Sequence, residues 1–416
     1  MTRDFENMLY IYGSALKGEP ADTKYCINLR TIRKLALSQN IWQMVYGAIR
    51  KNIEDGLVSI PEEVYNSLET AFIANIAQNI RKVKFSNNTI KELEKNGIGC
   101  CLYKGYSVAR LYPFPDMRIS SDTDILIKQQ DEKKASLILK KLGYEVENRA
   151  GYNHHMTVKH PVGGVIEAHI SVMQRNWDDV IFQNKIRYTE EYIRMENGIK
   201  TFGINDGLIN VTTHFIKHFV KSGAGLRHLS DMLLYMKHFE NEIDWECFNS
   251  LMSELKYDKL IETVKLIGIK YWGMNFADVP QGNDDIVESL LTDIENGGIF
   301  GYSEEGRASA YSIFAMRRKK MSKEEFKKYN VNHMEKTLLR RIFPEREYMK
   351  RSYPVGNNKI YVLPISHIKR YFVIIKNIVT GKATIDKYMQ NDIKVDKKVV
   401  NTRVELMHKL EIIEKD

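Results

Sequence analysis

The sequence predicts an α+β fold in which a small mixed sheet sits between two helical regions. Three observations predict it. Through residues 1–96 apolar side chains recur at helical spacing, most clearly Leu68, Phe72, Ile76, Ile80 and Val83. Residues 97–172 break instead into short apolar or alternating runs bounded by glycine and proline signals. Beyond residue 177 the helical period returns, notably over 207–220 and 226–239, with no internal repeat or low-complexity tract. At 416 residues the chain exceeds the size at which a single hydrophobic core stops growing. The expected organisation is a helical region over 1–96, an α/β core over 97–176, a helical domain over 177–300 and a basic helical region over 301–416.

The long helix that carries Ile90 and Leu93 is predicted to stop at Asn96 and Gly97, since glycine just past a helix adopts a backbone conformation other residues avoid. Residues 98–103 form an apolar run of strand length, ended by Lys104 and Gly105, and 106–112 suits one or two helical turns. A proline-bearing loop covers 113–120. Residues 122–128, DTDILIK, return to strand, with Ile125 and Ile127 on one face and Asp122, Asp124 and Leu126 on the other. Ala135, Leu139 and Leu142 mark a helix over 130–142, followed by strands over 144–148, 155–159 and 165–172, the last two joined by a turn at 161–164.

Bulk properties fit a folded soluble protein, with 43% hydrophobic residues, 28% charged residues and only 9 prolines. Cys26, Cys100, Cys101 and Cys247 show no metal-binding spacing and are too few for a disulfide scaffold, so a reducing compartment is expected. The acidic, aromatic N-terminus does not read as a signal peptide, and no run approaches the ~18 apolar residues of a membrane span. A cytoplasmic location follows. The net charge of +9 concentrates in the C-terminal part, where residues 301–416 hold 26 Lys+Arg against 14 Asp+Glu. A solvated basic face accounts for such a surplus.

The motif that carries chemistry is Asp122-Thr123-Asp124. Alternate residues of a strand project the same way, so its two carboxylates lie side by side, a costly arrangement unless something neutralises them. Carboxylate oxygens suit Mg²⁺ or Mn²⁺. Glu167, in an apolar strand setting between Ile166 and Ala168, offers a third carboxylate, and Gly105 opens a helical turn whose N–H groups can meet phosphate. Lys104 and Arg118 are candidate triphosphate ligands, Ser107 a further hydroxyl donor, and His169 shares the strand face of Glu167 as a candidate catalytic base.

This order resembles the polymerase-β-like nucleotidyltransferase superfamily, and more closely a bacterial family of uncharacterised nucleotidyltransferases with the pattern Lys-Gly, Arg, DxD, ExH. Here those are Lys104-Gly105, Arg118, Asp122-Thr123-Asp124 and Glu167-Ala168-His169, and segments 214–237 and 343–354 extend the likeness over most of the chain. The chain departs from the superfamily in following Gly105 with Tyr106 rather than Gly or Ser, and in a longer interval from Gly105 to Asp122. The resemblance implies metal-dependent transfer of a nucleoside monophosphate from an NTP, ATP among the candidates, to a small-molecule, peptide or protein acceptor, with pyrophosphate released. Asp122, Asp124 and Glu167 would hold the metal.

Two other readings compete. One is a nucleotide-binding or partner-binding protein of the same fold with little or no turnover; the other is a nucleic-acid binder, suggested by Arg317, Arg318, Lys319 and Lys320 but lacking any reader motif. His154, His155 and His160 read as strand-edge residues, while His214, His218, Arg227 and Asp231 read either as a polar network between two helices, the favoured reading, or as a lining for the acceptor side of the cleft. Segment 360–379 is basic and amphipathic, a pattern shared by helices on anionic membrane surfaces. Packing against the helical domain is the expectation here.

Overall fold

The computed structural model describes residues 1–147, 155–173, 180–195, 198–278, 282–299, 304–318 and 397–414. Segment 360–379, Lys319, Lys320 and His154 lie outside the described residues. Helices α1 (Arg3–Lys17), α2 (Leu29–Ser38), α3 (Trp42–Glu54) and α4 (Glu62–Lys95) open the chain. The first starts where the Thr2 hydroxyl accepts from the Phe5 amide, satisfying one of the donors a helix start leaves over. The fourth ends just before Gly97, whose φ of +76° is the left-handed conformation expected there.

A seven-stranded mixed sheet follows in the order β3-β4-β5-β2-β1-β7-β6. Its members are β1 (Cys101–Tyr103), β2 (Asp122–Leu126), β3 (Glu145–Glu147), β4 (His155–His160), β5 (Gly164–His169), β6 (Tyr192–Arg194) and β7 (Lys200–Phe202). Between them lie the short α5 (Gly105–Ala109) and α6 (Glu132–Lys141). β6 and β7 come from a stretch whose sequence suggested helix. Strands of three residues are too short to show a period, and the parallel β7 to β1 pairing that holds them is set by tertiary contact.

The two sheet faces differ sharply. On one, Leu102, Ile125, Ile166, Ala168 and Val158 meet Ile90 and Leu93 of α4 and Ala135 and Leu139 of α6 in a closed apolar cluster. A buried hydrogen bond of 3.0 Å between Ser86 of α4 and Thr123 of β2 fixes the helix on that face. Strand alternation sends Asp122, Asp124 and Leu126 to the other.

Beyond the sheet come α7 (Ile204–Lys221), α8 (Leu226–His238), α9 (Trp245–Glu254), α10 (Asp258–Trp272), α11 (Asp284–Gly297), α12 (Glu304–Arg318) and α13 (Lys397–Lys409). Their core is continuous with that of the N-terminal helices through residues such as Phe5, Tyr12, Phe215, Leu229, Val264, Leu290 and Leu406. Among the described residues no helix is long and apolar enough to cross a membrane.

The last helix is tied in electrostatically. Asp293 of α11 accepts from Arg403 of α13 at 2.6 Å and from Arg307 of α12 at 3.0 Å, and all three are buried. Removing the shared carboxylate strands two guanidinium groups in a dry interior. Asp293→Ala is expected to lower the unfolding free energy by about 3–5 kcal/mol. Urea denaturation measures it, and a loss below about 1 kcal/mol would show that this triad does not anchor α13.

Candidate active site

Four adjacent strands build one patch. β1 and β2 run antiparallel with Tyr103 opposite Asp124, and β5 runs parallel to β2 with Glu167 beside Asp124 and His169 beside Leu126. β4 places Thr157 opposite Glu167 and His155 opposite His169. Paired residues on neighbouring strands share a face, so Asp122, Asp124, Glu167, His169 and His155 all project to the side not covered by α4 and α6.

Asp124 is the hub. One of its oxygens, Oδ1, receives Lys104 Nζ at 2.6 Å and lies 2.8 Å from His169 Nε2. Burial by itself would push this carboxyl upward, but the Lys104 charge and the His169 hydrogen bond outweigh it and hold the group down at about 2. His169 Nε2 also approaches Glu167 at 3.5 Å, and His155 Nε2 lies 3.8 Å from the other Glu167 oxygen. That carboxyl too is shifted downward, through His169 first, against the opposing effect of burial. Asp122 behaves oppositely. Half-buried, its carboxyl is raised by desolvation and then by the neighbouring charges of Asp124 and Glu167.

Lys104 reaches Asp124 from a strained backbone. Its φ of 56° and ψ of −134° lie in a region nearly reserved for glycine, at a cost on the order of 1–3 kcal/mol. Ser107 closes the turn by donating to the Lys104 carbonyl at 2.7 Å. Of the two roles open to this hydroxyl from the sequence, phosphate donor or local cap, the structure has it as the cap. Gly105 follows the same logic: a Cβ there would sit 2.5 Å from Ser120 Oγ and 2.8 Å from Arg118 Nη1, so close packing alone demands glycine.

Arg118 also differs from the expectation of a triphosphate ligand. Buried at 5% exposure, its guanidinium is committed to Asp231 of α8, with Nε to Oδ1 at 3.1 Å and Nη2 to Oδ2 at 2.5 Å, and it also donates to Ser120. Tyr112 donates to Asp231 at 2.7 Å and shares Ser230 with Tyr12. Sequence spacing cannot tell a phosphate-binding arginine from one paired with a carboxylate 113 residues later. Arg227, one helical turn before Asp231, donates from Nη1 to the Ile119 carbonyl at 2.8 Å. The loop entering β2 is thus held at two points by α8.

Sequence reasoning missed two neighbours of the patch, His155 and Tyr103. The antiparallel register that brings His155 beside His169, with ring centroids 5.0 Å apart, has no local signature. Tyr103 stands edge-on to His169 at 5.3 Å, in a strand that read only as an apolar run. His160, by contrast, is a turn residue whose Nδ1 accepts from the amides of Val162 and Gly163.

The donor chemistry fits a divalent cation. Three carboxylates share one face, one of them is destabilised as an anion by burial and then by the others, and the Lys104 ammonium already occupies a cation's place on Asp124. Among the described residues His155, Glu167 and His169 also present ligand atoms within 4.8 Å of one another.

A small mixed sheet with clustered carboxylates on one face, backed by helices and joined to a helical domain, fits a nucleotidyltransferase. The chain belongs to the family described as uncharacterised nucleotidyltransferase, whose model matches residues 27–266. Neither a curated protein nor a solved structure matches it.

The opposite shifts of the two aspartates give a prediction of opposite sign. At pH 7 without divalent metal, Asp124→Asn is expected to lower thermal stability by about 1–3 kcal/mol, because Lys104 and His169 lose a buried charged partner. Asp122→Asn is expected to leave stability unchanged or raise it, since like-charge repulsion is relieved. The Asp124 contribution is present above the unfolded carboxyl pKa of 3.8 and is lost as pH falls through the folded value of about 2. Calorimetry of both variants checks the order, and a more stable Asp124→Asn protein would refute this electrostatic account.

Proposed function

We propose that this chain transfers a nucleoside monophosphate from an NTP to a hydroxyl or phosphate of a small-molecule, peptide or protein acceptor, releasing pyrophosphate. The observation that supports it most is the convergence of Asp122, Asp124 and Glu167 on one sheet face, with Lys104 and His169 held against Asp124. In this reading Asp122, Asp124 and Glu167 would hold Mg²⁺ or Mn²⁺, which would supply charge neutralisation at the phosphates and activate the attacking hydroxyl. Lys104 keeps Asp124 anionic and offers its ammonium to the incoming phosphates. His169, in contact with both Asp124 and Glu167, positions the two carboxylates and holds a proton at Nε2. Gly105 presents backbone N–H at the turn beside Lys104, and Ser107 and Arg118 act by shaping that turn.

In this reading the reaction belongs to the 97–176 segment, with the helices of 177–300 beside it and α4 of 1–96 at its back.

The test is thermal unfolding with each NTP, ATP first, in Mg²⁺. Binding at about 100 times Kd stabilises a folded protein by about 2.7 kcal/mol. The wild type is expected to gain stability that EDTA removes, and Asp122→Asn with Asp124→Asn to gain none. In an assay of label transfer from α-phosphate-labelled NTP into cell extract, the same double variant is expected to lose at least about 10²-fold in rate. Wild-type transfer by that variant would rule the mechanism out.

A further inference from the structure

The wall facing the carboxylates carries a basic cluster for which the proposed transfer has no use. On α7, His214, Lys217, His218 and Lys221 recur at intervals of three and four residues and form a half-exposed stripe. α8 adds Arg227 and the buried His228. The three imidazoles are packed ring to ring, with His218 and His228 centroids 4.6 Å apart and His214 and His218 Nε2 atoms 3.1 Å apart.

Among the described residues the three rings present ligand atoms within 4.8 Å of one another, but the hydrogen bonding of His228 argues against a metal there. The Gly225 amide donates to His228 Nδ1 at 3.1 Å, so the neutral ring carries its proton on Nε2 and presents a donor there. The surroundings argue the same way. Facing the rings are Lys104 from the β1 to α5 turn, Arg118 from the loop before β2, Lys217 and Lys221 on α7, and Arg227 on α8. Of the acids beside this group, Asp231 gives both oxygens to Arg118 and Asp124 takes the Lys104 ammonium. Among the described residues no carboxylate lies within ion-pair distance of Arg227, and its buried Nε has no hydrogen-bond partner. This half-buried guanidinium has one hydrogen bond, to the Ile119 carbonyl, and a bound anion would supply the close counter-charge that Asp231 and Asp122 give it only from farther away.

We propose that Arg227, His214 and His218 form a subsite for a tetrahedral phosphate group, beside the carboxylate patch. The proposal rests on the nucleotidyltransferase reading and deepens it: the phosphate belongs either to a phosphorylated acceptor or to the tail of the NTP. Arg227 links the two places directly, since it holds the Ile119 carbonyl three residues before Asp122. By themselves the imidazoles are held neutral, because burial and then their positive neighbours disfavour the charged form, and His218 is pushed down to about 4. An anion reverses that balance. Its binding draws protons onto the rings from solvent.

The test uses the full chain without NTP or metal, so its outcome is independent of whether nucleotide binds. Calorimetric titration with sulfate, which has phosphate's shape and does not itself titrate near neutrality, is run in two buffers of different ionisation enthalpy. Proton uptake and tighter binding at pH 6 than at pH 7.5 are expected. Arg227→Gln is expected to weaken sulfate and inorganic phosphate at least about tenfold. His218→Asn should bind with less proton uptake, and Arg227→Lys should keep most of the affinity, which guards against a folding defect in the glutamine variant. A phosphomonoester probe and ATP then distinguish the sources: ATP displaces the monoester if the subsite takes the triphosphate tail, and both bind together if it takes the acceptor. Equal anion affinity in wild type and Arg227→Gln, binding without proton uptake, or tight Zn²⁺ binding at the three histidines that phosphate does not weaken would overturn the proposal.

Discussion

A carboxylate withdrawn from water must find compensating charge, and the buried Asp124 imposes that demand on everything around it. Lys104 and His169 meet it at the same oxygen. To bring its ammonium there, Lys104 accepts a backbone conformation that disfavours any side chain, and Ser107 and Gly105 take the roles that keep this turn closed. Local strain, side-chain position and electrostatics are therefore one problem with one solution. One ammonium serves Asp124 alone, while Asp122 stays raised through burial and then through the charges of Asp124 and Glu167.

The second constraint is mechanical. The twelve residues 110–121 between α5 and β2 must deliver Asp122 in register, and such a connection has little core of its own. Two arginines of different origin fix it: Arg118 reaches out from the loop to Asp231, and Arg227 reaches back from α8 to Ile119. The hydroxyls of Tyr12, Tyr112 and Ser230 complete that buried network, so α1, at the start of the chain, also bears on the geometry of the patch.

Much of this was legible in the sequence. The DTD strand, its alternation of faces, Glu167 and His169 on one side, and the helix stop at Gly97 all follow from periods of two or 3.6 residues and from glycine's backbone, and the structure has them where the spacing puts them. What was not legible depends on distance along the chain. The partner of Arg118, the cross-strand neighbour of His169 and the sheet membership of β7 are each decided by residues far away in sequence, and a single chain shows no trace of such pairings. The polar network between α7 and α8 was visible as an i, i+4 pattern, but His228 was not, because its role as a cap depends on Gly225.

The span between Arg118 and Asp231 matters for a chain made one residue at a time. When the ribosome has released the DTD strand, both aspartates exist, but the guanidinium that steadies their loop has no counter-charge until more than a hundred further residues have emerged. β1 waits similarly, since its second neighbour β7 is made about a hundred residues after it. Nascent chains short of α8 carry the carboxylates without the geometry, so the patch is assembled only after the helical wall that faces it has been synthesised.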